Sequence, residues 1–225
     1  MLNKVKKVLI VGDSNCLPRY TLNKKETLNN EDLYNFKLKK KLTKYNIEQV
    51  VWGGITTVQL TNFAILYFEK WVPDLLIIHS GINDVKNQFI SNSLSNKLYR
   101  LLSFFKISKK TYKESILYNS NLIKHHHHPK LDIDNFNKQI FKIKSSFKKT
   151  KIIYIGIHSN KKVDKERPHT YKIINAYNDI LKNQFKELFI DDQIFKKNQH
   201  YTKDGYHLNK EGHLILLNRL LKIIK

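Results

Sequence analysis

Lys7-Val8-Leu9-Ile10-Val11-Gly12-Asp13-Ser14 decides the fold. The apolar run Val8 to Val11 is short and β-branched, as expected of a strand covered on both faces. Gly12 ends it where the backbone must turn sharply. Asp13 and Ser14 follow at the strand's carboxyl end, where open α/β sheets place their chemistry. A serine there serves as a nucleophile only if a base and an oxyanion site arrive from elsewhere in the chain.

Working outward, four more apolar runs read as strands: Glu48 to Trp52, Leu75 to His79, Lys151 to Ile157 and Leu188 to Asp191. Helical spacing separates them. Asn30 to Tyr45 carries Leu33, Phe36, Leu38 and Leu42. Thr56 to Trp71 carries Val58, Leu60, Phe63, Leu66 and Tyr67 on its expected inner side. Asp132 is a plausible N-cap for a helix reaching Lys148, and Pro168 to Phe185 and Asn209 to Ile224 are the last two. Five strands alternating with helices predict a three-layer α/β/α architecture, a five-stranded parallel sheet covered on both faces. With no repeat and no Pro/Gly/Ser linker, residues 1–225 read as one domain, with a helical insertion at about 85–130.

The 225 residues carry a net charge of +22, yet only four of the 41 basic residues are arginine (Arg19, Arg100, Arg167, Arg219). Nucleic-acid readers lean on arginine forks, so a nucleic-acid partner is not expected. Lysine with abundant Asn and Ile looks more like the codon bias of an AT-rich genome. An anionic polymer partner is the other reading of that charge. One cysteine, Cys16, excludes an internal disulfide and suits a reducing compartment. The apolar run after the basic N-terminus is too short for a signal peptide. No apolar stretch reaches the roughly 18 residues of a membrane span. A cytoplasmic protein is expected.

Of seven glycines, Gly12, Gly53, Gly54, Gly81 and Gly156 end expected strands. Ser14, Gly54, Asn83 and the pair Asp204/His207 then supply a nucleophile, a backbone donor, a side-chain donor, an orienting acid and a base. Those are the parts of an acyl-transfer site.

These blocks resemble the SGNH (GDSL-type) hydrolase superfamily. Gly12-Asp13-Ser14 matches its first block and Gly53-Gly54-Ile55-Thr56-Thr57 its second, with the Gly-x-Thr spacing favouring Gly54. Gly81-Ile82-Asn83-Asp84 matches the third, and Asp204-Gly205-Tyr206-His207 the last. The four stand in order across almost the whole chain. The resemblance implies a flavodoxin-like sheet order, Ser14 as nucleophile, His207 as base and Asp204 as its orienting acid. It implies an oxyanion hole from the Ser14 and Gly54 amides and the Asn83 side chain, and needs no cofactor or metal. The implied function is a serine esterase removing a small acyl group, most simply acetyl, from a carbohydrate or related small-molecule ester. An O-acyltransferase with the same triad, acting on a polysaccharide precursor, and a non-catalytic binder of anionic polymer are the alternatives.

Around that core, Asp13 is expected to hold the nucleophile turn and Asp84 to serve a turn after the third strand. Cys16 is not expected to be the nucleophile. Arg19, in a Pro18-Arg19 pair like that of some family members encoded with surface-polysaccharide genes, is a candidate contact for an anionic sugar. Gly53 and Trp52 are further substrate-contact candidates. Trp52 stands where many family members carry Asn or a small polar residue, and His79 where a small or apolar residue is usual. The tract His125 to His128 lacks the carboxylate or cysteine spacing of a metal site. His158 and His169 are expected at the solvent or the rim. Phe89, Tyr99, Phe104, Phe105 and Tyr112 in the insertion are expected mostly as core, with stacking on substrate as the alternative.

Overall fold

The computed structural model describes residues 6–21, 26–68, 70–88, 92–105, 107–123, 128–195 and 198–224. Five strands form the main sheet: β1 (Lys6–Gly12), β2 (Tyr45–Val51), β3 (Leu75–His79), β4 (Lys151–Ile155) and β5 (Phe189–Ile190). Their order is β2-β1-β3-β4-β5 and every pairing is parallel. The long helices are α1 (Tyr34–Lys41), α2 (Thr57–Phe68), α3 (Asn92–Ser103), α4 (Ile133–Ser146), α5 (Thr170–Phe185) and α6 (Lys210–Ile224).

The pleat of β1 divides the core. Leu9 and Val11 pack with Leu60 and Ala64 of α2, Phe136 and Ile140 of α4, and Ile174 and Leu181 of α5. Val8 and Ile10 pack with Tyr34 and Leu38 of α1 and Leu216 and Leu220 of α6. Both faces of β1 are therefore dry, which is why its sequence is uniformly apolar rather than alternating. The three-layer α/β/α architecture is the one expected from the sequence. Asp132 accepts the Asn135 amide at 2.8 Å and caps α4 as expected.

Three local readings are corrected. The first helix does not span Asn30 to Tyr45: Asn30–Asp32 is a separate 3₁₀ turn, and Tyr45 already belongs to β2. On α2, Leu66 is 74% exposed, whereas Ala64 is buried. That helix is apolar nearly all round, so its period does not choose a face. In the insertion, Phe104 and Phe105 are exposed at the end of α3, while Tyr112 is buried and donates to the Ser95 hydroxyl at 3.0 Å.

Besides α3, the insertion holds a short helix at Lys109–Tyr112 that runs into a π turn at Lys113–Leu117, and a further turn at Ser120–Ile123. A two-residue antiparallel ribbon pairs Asn87–Gln88 with His128–Pro129 and closes it. Phe89 and His125 to His127 lie outside the described residues; His128 is exposed. Among the described residues, no helix is long and apolar enough to cross a membrane.

Candidate active site

The nucleophile turn is built by Asp13 and Asn15. Asp13 is buried at the end of β1, and its carboxylate accepts the Asn15 amide at 2.9 Å, capping a 3₁₀ turn at Ser14–Cys16. Its own amide donates to the His79 carbonyl at 3.0 Å, tying the turn to β3. This is the structural role expected of Asp13. Asn15 carries no signal of its role in the sequence. Its side chain accepts the Leu208 amide at 3.1 Å and donates to the Tyr206 carbonyl at 3.5 Å, fastening the serine turn to the loop that carries His207.

That loop brings three of the expected residues together. Ser14 Oγ lies 2.8 Å from His207 Nε2, and His207 Nδ1 lies 2.6 Å from Asp204 Oδ2. The other carboxylate oxygen of Asp204 accepts the Tyr206 amide, the His207 amide and the Thr202 hydroxyl at 2.9, 3.1 and 2.9 Å. Both oxygens are thus engaged, and the imidazole is aimed by its own loop. Burial raises the Asp204 carboxyl. The bond and charge of His207, the Tyr206 amide and the Arg19 guanidinium outweigh that and hold it well below the usual carboxylate range. Asp204 is therefore the ionised partner in the relay.

Arg19 sits on the backbone bridge Arg19↔Leu28, and its guanidinium contacts Asp204 Oδ2 at 2.7 Å. It is a charge contact without an aligned hydrogen bond. Arg19, a candidate contact for an anionic sugar, thus pairs with the acid of the relay.

The donors implied for an oxyanion come from two neighbouring loops. Gly53 and Gly54 form an exposed turn after β2, with Gly54 at φ +75°. Trp52 before them is 59% exposed, its ring 5.8 Å from that of Phe63. Asn83 lies on a one-turn helix, Ile82–Val85, that follows Gly81 at φ +119°. A side chain at Gly81 would also stand 2.6 Å from Ile157, so only glycine fits. The Asn83 amide gives one N–H to the Ile55 carbonyl at 3.1 Å and keeps a second. Asp84 turns the other way, accepting the Thr57 amide at 2.9 Å and the Thr57 hydroxyl at 2.6 Å to cap α2. Burial pushes its carboxyl up to about 7 against those bonds.

Behind the serine turn lies a buried polar chain that the sequence did not reveal. His158, expected at the rim, is buried, with its Nε2 2.8 Å from His79 Nε2. His79 Nδ1 is 3.3 Å from the Tyr34 hydroxyl, itself 3.2 Å from Cys16 Sγ. Burial pushes His158 down to about 3 and His79 well below its ordinary value. The two rings are therefore neutral, and one donates to the other. Burial also raises the Cys16 thiol, which removes it as a competing nucleophile. His169, the other rim candidate, is half-buried at the start of α5. Among the described residues, no three His, Cys, Asp or Glu side chains are grouped to hold a metal.

His213 on α6 is likewise buried, accepts the Tyr34 amide at 3.4 Å, and is pushed down to about 3 by burial. Its folded-state pKa lies below that of the unfolded chain, ordinarily about 6.5. The stability it contributes is therefore complete above that value and is lost as pH falls toward 3. Between pH 7 and 5 the native protein is expected to lose about 2 kcal/mol more unfolding free energy than His213→Gln. Urea titrations of both proteins at the two pH values measure this difference, and parallel losses would contradict it.

No protein-family model matches the sequence, and no curated protein matches it. Solved structures do. A lipase/acylhydrolase from Enterococcus faecalis superposes with a TM-score of 0.64 at 13% identity, covering 97% of this chain and 95% of its own. A member of the lipolytic protein G-D-S-L family from Veillonella parvula gives 0.57 at 12% identity, covering 97% of each chain. Axe2, an acetyl xylan esterase from Geobacillus stearothermophilus, gives 0.59 at 17% identity, over 96% of this chain and 93% of its own. Sheet order, helical layers and these end-to-end superpositions agree: this chain has the fold of the GDSL-type lipases and acylhydrolases.

Proposed function

We propose that the protein is a serine esterase that removes a small acyl group, acetyl in the simplest case, from a carbohydrate or related ester. The observation that carries this reading is the continuous relay Ser14–His207–Asp204. Ser14 Oγ attacks the ester carbonyl while His207 Nε2 takes its proton. The imidazolium so formed is stabilised by the ionised Asp204. The oxyanion is received by the Ser14 and Gly54 amides and the remaining Asn83 N–H. His207 returns the proton to the leaving alcohol, and water, deprotonated by the same imidazole, releases the acid from Ser14. The acetyl and carbohydrate assignments draw support from the acetyl xylan esterase among the superposing structures.

The reading is tested by incubating the protein with p-nitrophenyl acetate and with acetylated xylo-oligosaccharides. Release of acetate from both is expected; no release from either overturns it. Asn83→Ala separates the oxyanion role from binding. It is expected to lower kcat by about 10²–10³ with little change in KM. A change confined to KM would remove Asn83 from the oxyanion site.

A further inference from the structure

Phe104 is the most exposed large apolar side chain among the described residues, at 84%, and Phe105 beside it is 73% exposed. They continue the last turn of α3, their amides donating to the Leu101 and Leu102 carbonyls at 3.3 and 3.0 Å. Leu94, Leu98, Leu101 and Phe105 recur at helical spacing, so they form one stripe along that helix. Leu94 and Leu101 are exposed and Leu98 is half-buried. The stripe is aimed outward by the packing beside it. Ser95 is buried and accepts the Tyr112 hydroxyl at 3.0 Å, and the Tyr99 and Tyr112 rings stand 5.5 Å apart. A run of exposed leucine and phenylalanine of this kind marks a place of association.

The charge around the stripe selects what it can meet. Lys97 and Arg100 border it on the helix, Lys109 and Lys110 follow the phenylalanine pair, and all four are exposed. Residues 85–130 hold nine Lys and Arg against a single acid, Glu114, whereas the other 179 residues hold 32 against 18. The excess of the insertion is therefore its own, beyond the lysine bias of the whole chain. Two such surfaces repel one another, which disfavours a second copy as the partner. An anionic lipid surface satisfies both features. Its headgroups pair with the ammonium and guanidinium groups, and the boundary of its acyl chains receives the Leu and Phe side chains. The long stems of Lys97 and Arg100 let their charges stay at headgroup level while the apolar stripe sits deeper.

We propose that α3 and the Phe104–Phe105 turn form a docking face that lies in the headgroup region of an anionic bilayer. Docking of this kind does not depend on the esterase reading, and it gives the insertion a role of its own.

The test is co-sedimentation of the full chain with vesicles of phosphatidylcholine alone and of an equimolar mixture with phosphatidylglycerol. Binding to the mixed vesicles is expected, weakening as NaCl is added, with little binding to the neutral ones. Replacing both rings, Phe104→Ser with Phe105→Ser, leaves the net charge unchanged and is expected to weaken binding by about tenfold or more. A melting curve checks that this variant is folded. If it is not, two charge reversals of equal size take its place. Lys109→Glu with Lys110→Glu is expected to weaken binding, and Lys39→Glu with Lys40→Glu, at the solvated end of α1, to weaken it far less. Absence of binding to the mixed vesicles overturns the proposal. So does equal binding of the folded phenylalanine variant, or equal loss from the two reversals, since either leaves only the charge of the whole chain. A wild-type dimer in light scattering that the phenylalanine variant loses would also overturn it, by assigning the face to a second copy.

Discussion

Ser14→Ala is expected to lower kcat for p-nitrophenyl acetate by on the order of 10⁵–10⁶-fold. Among the described residues the serine hydroxyl makes its hydrogen bond to His207 alone, so nothing else is lost with it. The turn that holds it is fixed by Asp13 and Asn15, which the substitution does not touch. The thermal midpoint should therefore move by only about 2 °C. Steady-state kinetics together with a melting curve check both halves of this expectation. Turnover within tenfold of wild type in a folded variant would exclude a covalent role for Ser14.

Asp204→Asn should cost about 10³–10⁴ in kcat. The carboxylate that receives His207 Nδ1–H would become an amide able to offer an N–H of its own. The imidazole would then favour the tautomer that protonates Nε2, the atom required to accept the serine proton. The change would also remove the counter-charge of Arg19. Because the asparagine oxygen can still accept the Tyr206 and His207 amides, the loop itself should persist. Kinetics against p-nitrophenyl acetate measure the loss. A loss below tenfold would mean that the Asp204 charge plays no part in orienting the base.

What the sequence made legible follows from range. β1 and β3 are runs of buried aliphatic residues, and such runs declare a covered parallel strand locally. The Asp132 cap is equally local. The four blocks with Ser14, Gly54, Asn83 and Asp204/His207 were readable because each lies at a strand end or beside the last helix. That the first and last of them meet was expected only from the resemblance.

Features made by side chains distant in sequence were not readable. Asn15 reaches Leu208 across 193 positions, and His79 reaches His158 across 79. Neither partner carries a local mark, so His158 reads as a surface residue. Arg19 stands out by its closeness to the serine, but its partner Asp204 lies far along the chain and is met only once the fold is made. On α2 the failure is local: with apolar residues on every side, hydrophobic spacing could not say that Ala64 rather than Leu66 faces the sheet.

The central claim is that Ser14 is the activated nucleophile. A fluorophosphonate reacts with such a serine and leaves a stable adduct whose position mass spectrometry can read. Trypsin releases Val8 to Arg19 as one peptide, which contains both Ser14 and Cys16. Fragmentation is expected to place the adduct on Ser14, with labelling abolished in Ser14→Ala. Ester turnover without any adduct on this peptide, or an adduct on Cys16, would contradict the account.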